Sequence, residues 1–155
     1  MKTKTITIRV PADNEGYVLM KCPQCGELFK LKVLDFHDDG VMDIHCPACF
    51  FASYRTNDFI TDDIQQHINT LINNYAGEVI DGMIKELEKS LKNKKYIKLE
   101  RKQEIQEEKP IPLFSTTDSL KPVYCLYCGK YAKIKSILRD SAYKCPLCGV
   151  KNYAR

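Results

Sequence analysis

The chain has 155 residues, 44% of them hydrophobic, and a formal net charge of +4. That content excludes wholesale disorder, and no run approaches the ~18 consecutive apolar residues of a membrane helix. The opening MKTKTITIRV lacks the continuous apolar stretch of a secretory leader, so the expected compartment is a reducing cytoplasm.

Taken in chain order, the first predicted elements are strands. Ile6-Thr7-Ile8-Arg9-Val10 and Tyr17-Val18-Leu19-Met20 read as extended, divided by Asn14-Glu15-Gly16. Phe29-Lys30-Leu31-Lys32-Val33 alternates with period two and places its lysines on one face, the signature of a half-buried strand. Asp38-Asp39-Gly40 marks a turn, after which Val41-Met42-Asp43-Ile44 is the expected return strand. From Ile60 the pattern changes: Ile64, Ile68, Leu71, Ile72, Tyr75, Val79, Ile80, Met83, Ile84, Leu87 and Leu91 recur in helical steps. Asp62 and Asp63 suit the start of that helix, and Lys92, Lys94 and Lys95 its end. Gly77 and Gly82 each weaken it by about 1 kcal/mol and are candidate bends. Residues 96–108 read either as more helix or as a short strand. Lys109-Pro110-Ile111-Pro112 cannot continue a helix, and Ser115–Ser119 reads as linker. A second alternating run, Ala132-Lys133-Ile134-Lys135, follows near the C-terminus.

All eight cysteines fall into four C-x-x-C pairs: Cys22/Cys25, Cys46/Cys49, Cys125/Cys128 and Cys145/Cys148. Two such turns facing each other supply four sulfurs to a tetrahedral ion, with metal–sulfur distances of about 2.3 Å for zinc. The two couples are copies of one unit. Shifted by 103 positions, Cys25, Gly26, Lys30, Leu31, Lys32 and Leu34 fall on Cys128, Gly129, Lys133, Ile134, Lys135 and Ile137. Glycine follows the second cysteine at Gly26, Gly129 and Gly149, where a positive φ lets backbone N–H groups face the sulfurs. Phe50 takes that place in the remaining turn, where the same geometry costs about 1 kcal/mol, so distortion is expected there. So small a unit cannot bury enough apolar surface to fold unaided, and metal binding supplies the missing free energy.

CPQCG…CPAC and CLYCG…CPLCG resemble the TFIIB-type zinc ribbons, a type also found in many uncharacterised bacterial proteins. The resemblance covers residues 17–55 and 121–153. It implies small antiparallel β units, each holding one Zn2+, so two per chain. It implies little about function, since ribbons serve in transcription factors, ribosomal proteins, polymerase subunits and adaptors. The cyclin-like repeats that accompany the ribbon in TFIIB itself are not visible. The C-terminal unit is also similar to rubredoxin, an iron electron carrier, although the gap between its pairs is shorter and tryptophan is absent.

The expected fold is therefore α+β: an N-terminal ribbon (1–57), an amphipathic helical segment (58–108), a linker (109–120) and a basic C-terminal ribbon (121–155). Charge is uneven, with eight Lys/Arg against one Asp/Glu in residues 121–155. Lys130, Lys133, Lys135, Arg139, Lys144 and Lys151, interleaved with tyrosines, suit a nucleic-acid backbone or an acidic protein surface. The alternative is that these lysines offset thiolate charge and the tyrosines fill a small core. His37 with Asp35, Asp38 and Asp39 reads as a solvated turn. No phosphate-binding loop, nucleophile elbow or H-E-x-x-H is present, and enzymatic activity is not expected. The helical stripe is a packing face, to be covered by a bend at its glycines or by a second copy of the chain.

Overall fold

Alternation with period two dictates the central element of the structure, a computed structural model describing residues 5, 7–92, 106–113 and 119–153. Strand β1 (Tyr17–Lys21) turns through the first cysteine pair into β2 (Leu28–Lys32), and β5 (Leu120–Tyr124) turns through the third pair into β6 (Tyr131–Lys135). Both hairpins are antiparallel, and they meet edge to edge in one four-stranded sheet of order β1-β2-β6-β5. At the junction Lys30 lies opposite Lys133 and Leu31 opposite Ala132. Lys30 and Lys133 are equivalent positions of the repeat, so the two copies are related by a local two-fold running through this pair.

Each hairpin continues into one short helical turn, α1 (Val33–Phe36) or α3 (Ser136–Arg139). A second, smaller hairpin then carries the remaining cysteine pair: β3 (Ile44–His45) with β4 (Ala52–Ser53), and β7 (Ala142–Lys144) with β8 (Lys151–Tyr153). The fold is α+β. Its long helix, α2, runs without interruption over Asp62–Leu91, through both Gly77 and Gly82.

The chain divides into two compact units. Arg9–Ile64 with Leu113–Arg155 holds both ribbons, and Met1–Ile8 with Gln65–Pro112 holds most of α2. In the ribbon unit, register puts Met20, Phe29, Leu31, Ala132, Ile134 and Val123 on one face of the sheet. They join Ile44, Phe59, Tyr143 and Leu147 in one buried cluster shared by both ribbons. Phe29, Leu31 and Ile134 are fully buried, each worth about 1.5–3 kcal/mol relative to exposure. Phe59, from a 3-10 turn at Thr56–Phe59, packs edge-on against Phe29 at 5.8 Å and so fixes the chain just before α2. Lys21 pairs with Asp62, the first residue of that helix.

In the helical unit, His67 Nδ1 lies 2.7 Å from the Ile111 carbonyl, and the Asn74 side chain exchanges hydrogen bonds with the backbone of Glu108. Ile72, Val79, Ile80, Met83 and Leu87 stay exposed along α2. No helix among the described residues is long and apolar enough to cross a membrane.

Two expected strands are absent or shorter. Thr7–Val10 forms none, having no ladder to join and running into Pro11, and Ile6 lies outside the described residues. Val41–Asp43 joins no ladder, the Val41 N–H closing a turn on the Asp38 carbonyl, and only Ile44–His45 pairs. Most of residues 96–108 and of the 115–119 linker also fall outside the described residues.

Candidate metal centres

Each C-x-x-C turn is built alike. The N–H of the first cysteine donates to the carbonyl five residues on: Cys22 to Glu27, Cys46 to Phe51, Cys125 to Lys130 and Cys145 to Val150. That closure requires a left-handed residue after the second cysteine, and Gly26, Gly129 and Gly149 have φ of 75°, 69° and 72°. Phe50 adopts the same left-handed conformation at φ 67°, but the bonds that the Gly26, Gly129 and Gly149 N–H groups make to the carbonyls of Cys22, Cys125 and Cys145 have no Phe50–Cys46 counterpart, so this turn is the more loosely closed. The closing bond from Cys46 to Phe51 outweighs a left-handed penalty of about 1 kcal/mol. The Phe50 ring also receives the Lys144 ammonium at 5.5 Å, a cation–π contact that favours the phenylalanine.

The turns bring Cys22, Cys25, Cys46 and Cys49 into one group and Cys125, Cys128, Cys145 and Cys148 into another, all ligand atoms of a group lying within 4.8 Å of one another. Facing sulfurs are 3.6 Å apart for Cys22–Cys49, Cys25–Cys46 and Cys125–Cys148, and 3.7 Å for Cys128–Cys145. A regular tetrahedron with 2.3 Å bonds has edges of about 3.8 Å, whereas a disulfide needs about 2.05 Å. The separations therefore fit four thiolates around one ion. With four protein ligands the cage is closed, and no position is left for a water to activate. These are the only such groups among the described residues; the aspartates around His37 do not form one.

The sulfurs are electrostatically unequal when metal-free. Burial pushes Cys46 and Cys145 well up, against the N–H groups of Ala48 and Cys49 and of Leu147 and Cys148. Burial also raises Cys148, to about 11. At Cys125 burial acts in the same direction, but the N–H groups of Cys128 and Tyr127 and the neighbouring sulfhydryls outweigh it and bring the thiol to about 7. Cys25 and Cys49 are exposed, so the first centre is the more accessible.

The six basic residues singled out from sequence are engaged inside the unit. Lys130 reaches Asp38 at 2.6 Å and Asp35 at 3.9 Å; Lys133 reaches Asp13 and Glu15; Lys135 reaches Glu27 at 3.1 Å. Arg139 pairs with its neighbour Asp140, while Lys144 and Lys151 lie over the Phe50 and Tyr153 rings. Lys30, only 3% exposed, reaches Asp13 at 3.2 Å. Asp13 thus clamps a lysine from each ribbon. Burial raises its pKa, but the Tyr17 N–H, Lys30, the Glu15 N–H and Lys133 together pull it from 3.8 to about 2. Sequence reasoning missed these carboxylate partners. The signal available was the seven acidic residues of a neutral N-terminal segment facing a repeat rich in lysine.

His45, which from sequence could replace a ligand beside Cys46 except that four cysteines already complete the site, has a contact that sequence does not show. Its ring packs on Gly149, where a Cβ would lie 2.7 Å from Nε2, and its N–H donates to the Pro146 carbonyl at 2.9 Å. Reciprocally, the Lys144 N–H donates to the Pro47 carbonyl at 3.1 Å. Burial, then Lys144, lowers the His45 pKa. Beyond this geometry, no family model matches the chain, and no curated protein or solved structure is significantly similar to it.

Proposed function

We propose that this chain is a non-enzymatic double zinc ribbon of TFIIB-like type that acts by docking an acidic protein segment on its C-terminal ribbon. The observation that carries the zinc reading is the pair of closed four-sulfur groups at tetrahedral spacing. Soft thiolate cages of this kind suit Zn2+, with iron the alternative. Zinc bound there would fix the small cysteine-bearing hairpins β3–β4 and β7–β8, whose strands are two or three residues long.

The partner reading rests on a cleft of about 470 Å3 whose lining includes Tyr124, Leu126, Tyr143, Tyr153 and the ion-paired neighbours Arg139 and Asp140. Leu126 and Tyr153 are strongly exposed within it. Tyrosines beside a cation suit a partner carrying both apolar and acidic groups. Protein is favoured over nucleic acid because Lys130, Lys133 and Lys135 hold carboxylates, which leaves the cleft lining one cation, Arg139, in an exposed pair with Asp140, too little charge for a phosphate backbone. The exposed stripe Ile72, Val79, Ile80, Met83 and Leu87 supports self-association through α2.

Acidic peptides and single-stranded oligonucleotides offered to the purified protein test this. Peptide binding that is lost in Y153A and R139E is expected. Oligonucleotide retention without peptide binding overturns the partner reading. A red protein with visible absorbance overturns zinc in favour of a rubredoxin-like iron centre.

A further inference from the structure

The two centres are held by one another's ribbons. The residue before the third cysteine of each ribbon touches the residue after the fourth cysteine of the other: His45 packs on Gly149, and Lys144 lies over Phe50. Within the same turns, the His45 N–H bonds the Pro146 carbonyl and the Lys144 N–H bonds the Pro47 carbonyl. These are equivalent positions of the repeat, so each second cysteine pair is braced by the other in two-fold fashion. Behind them the four-stranded sheet and a single buried cluster containing Cys125 and Cys145 run through both ribbons.

From this we infer that the two metal sites load cooperatively, as one unit, rather than as two independent ribbons. The inference rests on the zinc reading above. An ion in one cage fixes its Cys-Pro turn, and that turn presents the carbonyl and the packing surface that order the second pair of the other cage. The first ion therefore meets part of the ordering cost of the second site, which is a coupling free energy between sites and acts equally in both directions.

The experiment is a titration of reduced, metal-free full-length protein with Zn2+, followed by native mass spectrometry of the zero-, one- and two-metal species. At half saturation, independent equal sites leave about half of the chains with one ion, and unequal independent sites leave more. Tenfold coupling cuts that fraction to about a quarter, and this or lower is expected. A one-metal fraction of half or more, together with an unchanged surviving site in the variants below, overturns the inference while leaving two zinc ions per chain intact. Failure to reach two ions refutes the zinc reading itself and the inference with it. As a second measurement, C46S/C49S removes the first site, and C145S/C148S the second. Affinity at the surviving site, measured against a chromogenic chelator, is expected to fall about threefold or more against the parent's half-saturation point, or to be lost. Survival within twofold of the parent overturns the coupling.

Discussion

Replacing Asp13 by asparagine should destabilise the ribbon unit far more than any change at an exposed ion pair. The Lys30 side chain is 4% exposed and that of Asp13 17%, so the substitution leaves an ammonium buried without its counter-charge. Orphaning one member of a buried pair costs about 3–5 kcal/mol. Asparagine keeps an acceptor for the Glu15 and Tyr17 N–H groups, and Asp13 is not fully enclosed, so about 2–3 kcal/mol is the expected loss. The depression of the Asp13 pKa from 3.8 to about 2 gives the same size, at roughly 1.4 kcal/mol per unit. Because the folded pKa lies below the unfolded one, this stabilisation is present above about pH 4 and is lost as pH falls through about 2. The assay is urea unfolding of the zinc-loaded protein at pH 7 and fixed excess zinc. E15Q is the control, since its carboxylate is 65% exposed and its pair should contribute less than about 1 kcal/mol. Adding K30M to D13N removes the stranded charge and should recover most of the loss. If D13N and E15Q differ by less than about 0.5 kcal/mol, the clamp across the two ribbons is not a significant source of stability.

Three further outcomes follow from the same contacts. Gly149→Ala should weaken the second site through its φ of +72° and through the close approach of His45, whereas in an H45A background only the backbone cost of about 1 kcal/mol should remain; additive effects in a chelator-competition cycle would show that His45 does not press on this turn. Phe29→Ala removes a fully buried ring from the face shared by both ribbons and should cost about 3–5 kcal/mol in the same unfolding assay, a loss below 1 being incompatible with a common core. Zinc uptake at pH 7 should release protons from Cys145 and Cys148, whose burial holds them protonated, so affinity at this site should rise with pH through and beyond 7; calorimetry in buffers of different ionisation enthalpy that found no proton release would contradict the thiol assignments.

Cysteine spacing alone made the centres legible, because four C-x-x-C turns with none left over have few alternatives to paired cages. Strands β1, β2 and β6 and the long helix followed from the residue pattern; β5 did not, because Leu120 closed the expected linker and Pro122 interrupts Leu120–Tyr124, a proline tolerated there because β5 is an edge strand. The repeat announced two copies but not how they meet. Nothing in Phe29–Lys32 or Tyr131–Lys135 says that the edges of these strands pair with each other, since edge pairing depends on which surfaces of two distant segments fit. That missing contact also reversed the meaning of the lysines. Period two placed Lys30 on a solvent face, yet the adjoining ribbon and Asp13 bury it. Lys130, Lys133 and Lys135, read as a surface for a partner, hold carboxylates of the N-terminal ribbon. Phe50 shows a local rule yielding to its neighbourhood: propensity disfavours a left-handed phenylalanine, but the closing Cys46–Phe51 bond and Lys144 both favour it.

The most direct test of the account is the metal content of folded, reduced protein, read by native mass spectrometry together with thiol counting. Two zinc ions per chain, with all eight cysteines recovered as thiols after chelation, is the predicted result. A folded chain carrying fewer than two ions, or one whose cysteines are joined as disulfides, would contradict it.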